Sequence, residues 1–432
     1  MKKDSNPLFT VIIPTKDRAK YLFHTLRTCT IQDYDNLEII VSDDGSTDNT
    51  REVVEEAASK DPRVRYVSPG SGVGMRENFE FALNQVRPGY VVALGGDDGL
   101  LPGGIQGMWE MLSSTGMDML SWPAPMYSYP DTRGSKGQLA IYYRKKSKIV
   151  NSHEFLARQA KHLNYLGDIE SPMFYVKGVV STKLIDNVRK RSVDQRFYAC
   201  STPDGYSGIV LAGEVKQYAF SGKPFSIYGL SPASQGLGYL SNEEKAKKSS
   251  EEFFKNASLK PMHRELAYQP YSPLITLMTV DYLLTARDLP GWAGSFPPIE
   301  YSQVLMNGIK ELSHGLYGQE RICRELQIMN QIANMHGLGD FFRRQLRDTQ
   351  RYKEKLPFTG SGINSKMVFF DADDFNIENI FDAAYAAQNI YQTYITMQPS
   401  SIFHMIFRSL MYRIRTVGKG KHFPPESEWS SI

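Results

Sequence analysis

The sequence has 432 residues, which at about 150 residues per domain gives two or three domains with a substantial core. Hydrophobic residues make up 41% and charged residues 22% of the chain, so collagen-like, low-complexity and largely disordered proteins are excluded. The 50 Lys and Arg residues nearly balance the 47 Asp and Glu residues, and the net charge of +3 gives no support for a nucleic-acid partner.

The cysteines and the N-terminal sequence favour a reducing compartment. Cys29, Cys200 and Cys323 lie far apart and form no C-x-x-C pair, which argues against a disulfide framework and against a zinc site. Asp4 and Pro7 precede a short apolar run, which does not match a signal peptide. Because no uncharged apolar run reaches about 18 residues, we expect a cytoplasmic protein that contacts a membrane only at its surface, at the inner face.

The first 125 residues alternate β-rich runs with helical patterns. The predicted strands are residues 9–13, 37–41, 64–67 and 90–94, and apolar residues between them recur at helical spacing. Strict alternation of this kind predicts βαβ units and a mostly parallel sheet.

The regularity fades beyond about residue 126, apart from a helical stretch at 152–162 and an apolar helix that starts at Pro203. From about residue 250 to 355 the pattern is mainly helical. We therefore predict an α/β domain over residues 1–245 and a mainly helical domain over residues 246–432.

Three acidic turns follow predicted strands of the parallel sheet. They cover residues 14–17, 42–46 and 95–99, and none carries a glycine-rich phosphate cradle. Ligands of such sheets bind at the carboxyl ends of the strands. Acidic side chains are therefore the candidates for ligand binding.

The acids of these turns suit different parts of a nucleotide. Asp97 and Asp98 offer hard oxygen ligands to Mg²⁺ or Mn²⁺ held together with a diphosphate. Asp17 and Asp44 suit a base and ribose, because a carboxylate accepts N–H donors and repels phosphate. The alternative for Asp97 and Asp98 is capping of the next helix, which has Pro102 in its first turn.

Three sequence blocks resemble those of family 2 glycosyltransferases, which have the GT-A fold. The blocks are TVIIPTKDR at 10–18, IIVSDDGSTD at 39–48, and GDDG at 96–99. They occur in the family's order and spacing, and the resemblance covers residues 9 to about 125. It implies a nucleotide-sugar binding sheet of the Rossmann-like type and a nucleotide-diphosphate sugar as donor substrate.

The resemblance implies roles for single residues. Thr15, Asp17 and Asp44 would hold the nucleoside, Arg76 would help to hold the nucleotide, and Asp97 matches the metal-binding Asp that ends the family's D-x-D motif.

One position departs from the family pattern. Gly95 stands where D-x-D has its first Asp, and Asp98 is the neighbouring carboxylate that compensates. We therefore expect a divalent metal, Mn²⁺ or Mg²⁺, with Asp97 and Asp98 as its ligands.

Asp204 is the candidate catalytic residue. Removal of the acceptor hydroxyl's proton needs a general base, and Asp204 starts an apolar helix, a placement that resembles the family's acidic base. A general base at this position implies a single displacement that inverts the anomeric configuration. The alternative is that Asp204 is an ordinary acidic residue in the first turn of a helix. The segment 228–236, with Gly229 and Ser231, resembles a loop that closes over donor or acceptor.

Two further segments have competing interpretations. The acidic block at 368–375 mimics D-x-D, but we interpret its acids as caps of a helix over 377–388. The basic, apolar stretch at 399–423 is either an amphipathic helix on an anionic membrane or a terminal helix that packs on the helical domain or on another subunit of a homo-oligomer.

These signals together predict a hexosyltransferase that moves a sugar from a nucleotide-diphosphate sugar to a glycan or lipid-linked acceptor, in surface polysaccharide or glycoconjugate biosynthesis. Two alternatives stay open. A sugar nucleotidyltransferase needs a glycine-rich, basic triphosphate loop, which residues 14–18 do not supply. A non-catalytic glycan-binding or assembly protein is suggested by Gly95 and by the helical domain.

Overall fold

The computed structural model describes residues 6–70, 72–130, 136–233, 251, 253–257, 259–351, 360–393 and 423–429. The strands are β1 Phe9–Thr15, β2 Leu37–Asp43, β3 Val64–Val67, β4 Tyr90–Ala93, β5 Gly99–Leu100, β6 Met119–Ser121, β7 Met126–Ser128, β8 Gln138–Tyr142, β9 Lys148–Asn151, β10 Gly178–Ser181, β11 Gln217–Phe220, β12 Ser226–Leu230, β13 Gly362–Ile363 and β14 Met367–Asp371. The helices are α1 Ala19–Thr30, α2 Thr50–Lys60, α3 Met75–Asn84, α4 Gly104–Thr115, α5 Ser152–His162, α6 Thr182–Arg191, α7 Pro203–Ala212, α8 Ile275–Arg287, α9 Tyr301–Ser313, α10 Gln319–Met335, α11 Gly339–Asp348 and α12 Ile380–Thr393.

The larger sheet of the described residues has the order β3-β2-β1-β4-β10-β6-β11-β9. Its first four strands are parallel, as the sequence predicts, and every residue of β1 is buried because helices cover both faces. β1 and β2 run two residues further than predicted, and the pairing of Thr15 with Asp43 places their ends side by side. The turns that follow these strands therefore start at one edge of the sheet.

The smaller sheet of the described residues has the order β13-β14-β8-β7-β12-β5. Its strands β13 and β14 come from beyond the predicted domain boundary, which itself falls on residues outside the described ranges. α12 packs against α1 and β12. The predicted α/β architecture followed by helices is confirmed, with the difference that residues 360–393 return to the α/β part.

Helices α8 to α11 form the helical part, which has its own apolar core. α8 also packs against α7, and the indole nitrogen of Trp292, just after α8, donates to the carbonyl oxygen of Val210 at 2.9 Å. The helical part is thus fastened to the helix that begins beside Asp204. No helix in the described ranges is long and apolar enough to cross a membrane.

The acidic block near β14 does not cap α12, so this prediction is wrong. The helix starts at Ile380, and Oδ1 of Asn379 accepts hydrogen bonds from the backbone N–H groups of Phe381 and Asp382. Asp373 instead forms an ion pair with Lys136 at the surface, 2.9 Å long. The stretch 399–422 lies outside the described residues.

Candidate active site

The turn after β1 is bonded to the turn after β2. The backbone N–H of Asp44 donates to the carbonyl oxygen of Thr15 at 3.0 Å, and that of Thr47 donates to Oδ1 of Asp17 at 2.7 Å. Asp17 has a φ of 50°, a left-handed conformation that Asp tolerates better than most residues. Thr15, Asp17 and Asp44, which sequence reasoning assigned to the nucleoside, therefore lie together.

The turn after β4 is bonded to the first turn through Asp97. Nη1 of Arg18 donates to Oδ1 of Asp97 at 2.7 Å, and the hydroxyl of Ser231 donates to Oδ2 at 2.6 Å. Asp97 is 2% exposed. Its charge is balanced by Arg18, a partner that sequence reasoning did not name although it ends the first sequence block.

The Asp98 carboxylate bonds to two backbone segments, and its partners differ from those of Asp97. Its Oδ2 accepts the N–H of Gly95 at 2.6 Å, and its Oδ1 accepts the N–H of Gly229 at 2.8 Å. Burial, followed by the charge of Asp97, raises the pKa of the Asp98 carboxyl. In the structure the Asp98 oxygens close the turn onto β12, and the role of Asp98 as a metal ligand stays a prediction.

Position 95, where the family pattern has the first Asp of D-x-D, has little room for a side chain. A Cβ atom at position 95 would lie 2.6 Å from the hydroxyl of Tyr175 and 2.9 Å from Oδ2 of Asp98. The hydroxyl of Tyr175 also bonds to Asp98. Tyr175 therefore fills the space that a side chain at position 95 would need.

The carboxylates of the turn after β4 fit a divalent ion that is held together with a diphosphate. No group of three or more His, Cys, Asp or Glu side chains suited to a metal occurs among the described residues. Mg²⁺ and similar hard ions are commonly held by one or two carboxylates together with substrate phosphates. Asp97 is a carboxylate of this kind in the turn after β4, and its oxygens are bonded to the Arg18 guanidinium and to the hydroxyl and backbone N–H of Ser231.

Asp44 and Thr15, two of the residues predicted to bind the nucleoside, differ in whether their side chains are already hydrogen-bonded. The Asp44 carboxylate accepts the N–H groups of Val73 and Gly74 at 2.5 and 3.0 Å, and burial raises its pKa. The hydroxyl oxygen of Thr15 is buried and has no hydrogen-bond partner among the described residues. An unpartnered buried hydroxyl at the edge of the parallel strands is expected where a ligand supplies the missing bond.

Arg76 lies in the first turn of α3, directly after the loop that binds Asp44. Its guanidinium donates to Glu77 at 2.6 Å. Arg76 and Gly74 line a cavity of about 190 Å³ together with Ser201 and with residues that precede α8, among them Phe253, Asn256 and Lys260. Sequence reasoning gave no sign that Phe253, Asn256 and Lys260 line a cavity beside Arg76.

Asp204 has one bonded and one unbonded oxygen. The hydroxyl of Tyr165 donates to Oδ2 at 3.4 Å, and Oδ1 has no hydrogen-bond partner among the described residues. Burial raises the pKa of Asp204. Burial raises the pKa of Tyr228 on β12, and the charges of Asp98 and Asp204 raise it further, so Tyr228 is within electrostatic range of both carboxylates.

The predicted closing loop contacts the site at two described positions. Gly229 approaches the turn so closely that a Cβ there would overlap the carbonyl oxygen of Asp97, and Ser231 donates to the Asp97 carboxylate. Nη2 of Arg18 donates to the carbonyl oxygen of Ala233 at 2.7 Å. Residues 234–236 of this loop lie outside the described ranges.

The sequence model of Glycosyl transferase family 2 matches residues 10–172. One curated relative, a GalNAc(5)-diNAcBac-PP-undecaprenol beta-1,3-glucosyltransferase of Campylobacter jejuni, is 34% identical over 105 residues, which are 24% of this chain and 34% of the relative. A chondroitin synthase of Escherichia coli is 33% identical over 101 residues, which are 23% of this chain and 14% of the relative. The chain thus spans about a third or less of the length of these two relatives.

Among solved structures, TarS 1-349 of S. aureus is 15% identical with a TM-score of 0.41 over 78% of this chain and 91% of that chain. A mannosyltransferase of Pyrobaculum calidifontis in complex with GDP-Man and Mn²⁺ is 14% identical with a TM-score of 0.39 over 79% of this chain and 85% of that chain. The family match falls on the parallel strands and their three acidic turns, in agreement with the GT-A fold expected from the sequence.

Proposed function

We propose that this chain, whose residues 10–172 match the sequence model of Glycosyl transferase family 2, transfers a sugar from a nucleotide-diphosphate sugar to a hydroxyl of a glycan or lipid-linked acceptor. The relatives named for chondroitin synthesis and for glucosyl transfer to an undecaprenol-linked glycan support an acceptor of this class and a role in surface polysaccharide or glycoconjugate biosynthesis. The transferred sugar is a hexose or a hexose derivative in this proposal.

The observation that carries the proposal is the joining of three acidic turns at one edge of the parallel sheet. Asp17 and Asp44 belong to two of the turns, and Asp97 of the third is bonded to Arg18 beside the first. The carboxyl edge of parallel strands is where such sheets bind nucleotides. Thr15, Asp17 and Asp44 bind the nucleoside in this proposal, and Arg76 faces the nucleotide from the start of α3.

Asp204 acts as the general base. Its raised pKa makes the carboxylate a stronger proton acceptor than an exposed Asp, and Oδ1 is available for the acceptor hydroxyl. As the acceptor oxygen bonds to the anomeric carbon, the bond to the nucleoside diphosphate breaks and the proton moves to Asp204. A single displacement of this kind inverts the anomeric configuration.

A divalent ion, when bound by Asp97, would neutralise charge on the diphosphate. We expect calorimetric titration with UDP and GDP to show binding of one nucleotide that strengthens at least about tenfold with Mn²⁺. The Asp97→Ala variant is expected to lose the Mn²⁺ effect, because it removes the carboxylate that fits the ion.

Asp373→Ala is the matched control for this titration, since it removes an acidic residue of the surface block that only resembles D-x-D. It is expected to keep the Mn²⁺ effect. Equal nucleotide affinity with Mn²⁺ and with EDTA in the native protein would contradict the metal requirement. Absence of any nucleotide binding would contradict the transferase and favour a non-catalytic glycan-binding protein.

The basic stretch 399–423 is proposed to contact an anionic membrane surface from the cytoplasmic side. Trp429 packs on Phe342 in the helical core, with ring centroids 6.0 Å apart, so deleting the whole C-terminus would also remove core contacts. Replacing both Arg413 and Arg415 with Gln avoids this. We expect about 2 kcal/mol weaker binding to vesicles that contain phosphatidylglycerol, measured by co-sedimentation.

The control for the vesicle experiment replaces Arg343 and Arg347 of α11 with Gln, which removes the same charge from a different surface. It is expected to leave co-sedimentation unchanged. Equal sedimentation with neutral and anionic vesicles would contradict the membrane contact and favour packing of the stretch on protein. Size-exclusion chromatography would then distinguish packing on the helical domain, which leaves a monomer, from packing on another subunit, which gives a homo-oligomer.

A further inference from the structure

Asp204 is surrounded by tyrosines that come from different parts of the chain. Burial is the first cause that raises the pKa of four tyrosines, and the charge of Asp204 raises each of them further: Tyr165 after α5, Tyr198 before α7, Tyr228 on β12 and Tyr282 on α8. Tyr165 is the one whose hydroxyl bonds to the carboxylate. Tyr165 is thus the tyrosine that engages Oδ2, and the backbone N–H of Gly205 also bonds to the Asp204 carboxylate.

Tyr165 and Tyr282 are packed against each other and against the start of α7. Their ring centroids are 5.3 Å apart at an interplanar angle of 73°, an edge-to-face contact. A Cβ atom at Gly205 would overlap the Tyr282 ring and lie 2.6 Å from the Tyr165 ring. The residue after Asp204 is therefore a glycine because two aromatic rings occupy the space beside it.

α8 of the helical part bonds both to the segment before Asp204 and to the backbone of Tyr165. The hydroxyl of Tyr282 hydrogen-bonds to the hydroxyl of Thr202, just before α7, and the backbone N–H of Tyr165 donates to Oγ1 of Thr279 at 3.1 Å. The start of α8 is itself held by Glu311, which accepts the N–H of Ile275 at 2.8 Å. One helix thus positions the Asp204 segment and the tyrosine that bonds to it.

We propose that Tyr165 and Tyr282 are positioning residues for Asp204, through which the helical part orients the carboxylate so that Oδ2 is held by Tyr165 and Oδ1 remains for the acceptor hydroxyl. This inference rests on the proposed function for the role of Asp204. It goes beyond that function because Tyr282 lies outside the family match, which ends at residue 172. The helical part is then a component of the catalytic centre.

The test measures the Asp204 carboxyl directly and needs no substrate. In protein labelled with ¹³C at Asp carboxyls, the signal that disappears in Asp204→Asn is followed against pH. A hydrogen bond from Tyr165 stabilises the charged carboxylate. We expect Tyr165→Phe to move the titration of this signal upward by roughly half to one pH unit, and Tyr282→Phe to move it in the same direction by less.

Tyr301→Phe is the matched control. Tyr301 on α9 also has a hydroxyl that donates to a carboxylate, that of Glu265 at 2.8 Å, and after burial the charges that shift its pKa are those of Glu265 and Arg287 and not that of Asp204. The Tyr301→Phe variant is expected to leave the Asp204 titration unchanged. An unchanged titration in Tyr165→Phe, or an equal shift in all three variants, would overturn the inference. Failure of the proposed function would appear separately, as absence of nucleotide binding in the native protein.

Discussion

Replacement of Asp204 with Asn is expected to lower sugar transfer by about two to four orders of magnitude. The amide is nearly isosteric with the carboxylate, but it cannot take up the proton from the hydroxyl of the acceptor substrate. Nucleotide affinity is expected to stay within about twofold of the native value, because the bonds that join the three acidic turns do not involve Asp204. Turnover is measured as nucleoside diphosphate release from the donor sugar that binds, and affinity by calorimetry.

The pH dependence of transfer carries a second signature of the same residue. Burial raises the pKa of Asp204, so the group becomes protonated at a higher pH than an exposed Asp. Transfer is expected to be full above that pKa and to fall as the pH drops through it. The acidic limb should disappear in Asp204→Asn, whose residual rate has no such base to protonate.

Asp340→Asn is the control for this pair of measurements. Asp340 also lies in the first turn of a helix, α11, but it is exposed and bonds to Arg343 on the surface. Its replacement should leave both rate and pH profile unchanged. An Asp204→Asn variant that loses nucleotide binding along with transfer would show that Asp204 has a structural role.

Replacement of Gly229 with Ala is expected to destabilise the fold by at least about 3 kcal/mol. The added Cβ would overlap the backbone carbonyl oxygen of Asp97, and backbone at the end of β4 cannot rotate away as a side chain does. The bond from the Gly229 N–H to Asp98 would be lost with it. Urea unfolding followed by circular dichroism measures the change, and nucleotide binding should weaken because Asp97 moves.

Gly72→Ala tests whether any loop glycine has this effect. A Cβ at position 72 would lie 3.5 Å from its nearest neighbours, which is ordinary contact, so stability is expected to change by less than about 1 kcal/mol. Similar unfolding midpoints for the Gly229 and Gly72 variants would contradict the close approach of β12 to the Asp97 turn.

The sequence was sufficient for the first part of the site because its signals are local. Each acidic turn directly follows a strand, and parallel strands bring their carboxyl ends together without further information. The structure brings the turns of Thr15, Asp17, Asp44 and Asp97 to one edge of the sheet, and the binding roles of these residues stay predictions. The hydrogen bonds of Asp98 were not predictable in this way, because one of them comes from the N–H of Gly229, which lies 131 positions later in the chain.

The smaller sheet and the tyrosines around Asp204 were not predicted for a related reason. The strands of this sheet span two to five residues, which is too short for alternation of apolar and polar residues to be recognised. Tyr165 and Tyr282 carry no spacing signal, since their contact joins positions more than a hundred residues apart. Pairings of this kind follow from tertiary packing alone.

The return of the chain to the smaller sheet has a topological consequence. β12 precedes the helical part and β13 follows it, and both strands belong to the same sheet. The helical part is therefore an insertion within one layer of the fold and not an appended C-terminal module. A protein cut after β12 would lack β14, leaving the edge of β8 unpaired and the apolar residues beneath α12 uncovered, which are the usual conditions for aggregation of a truncated fragment.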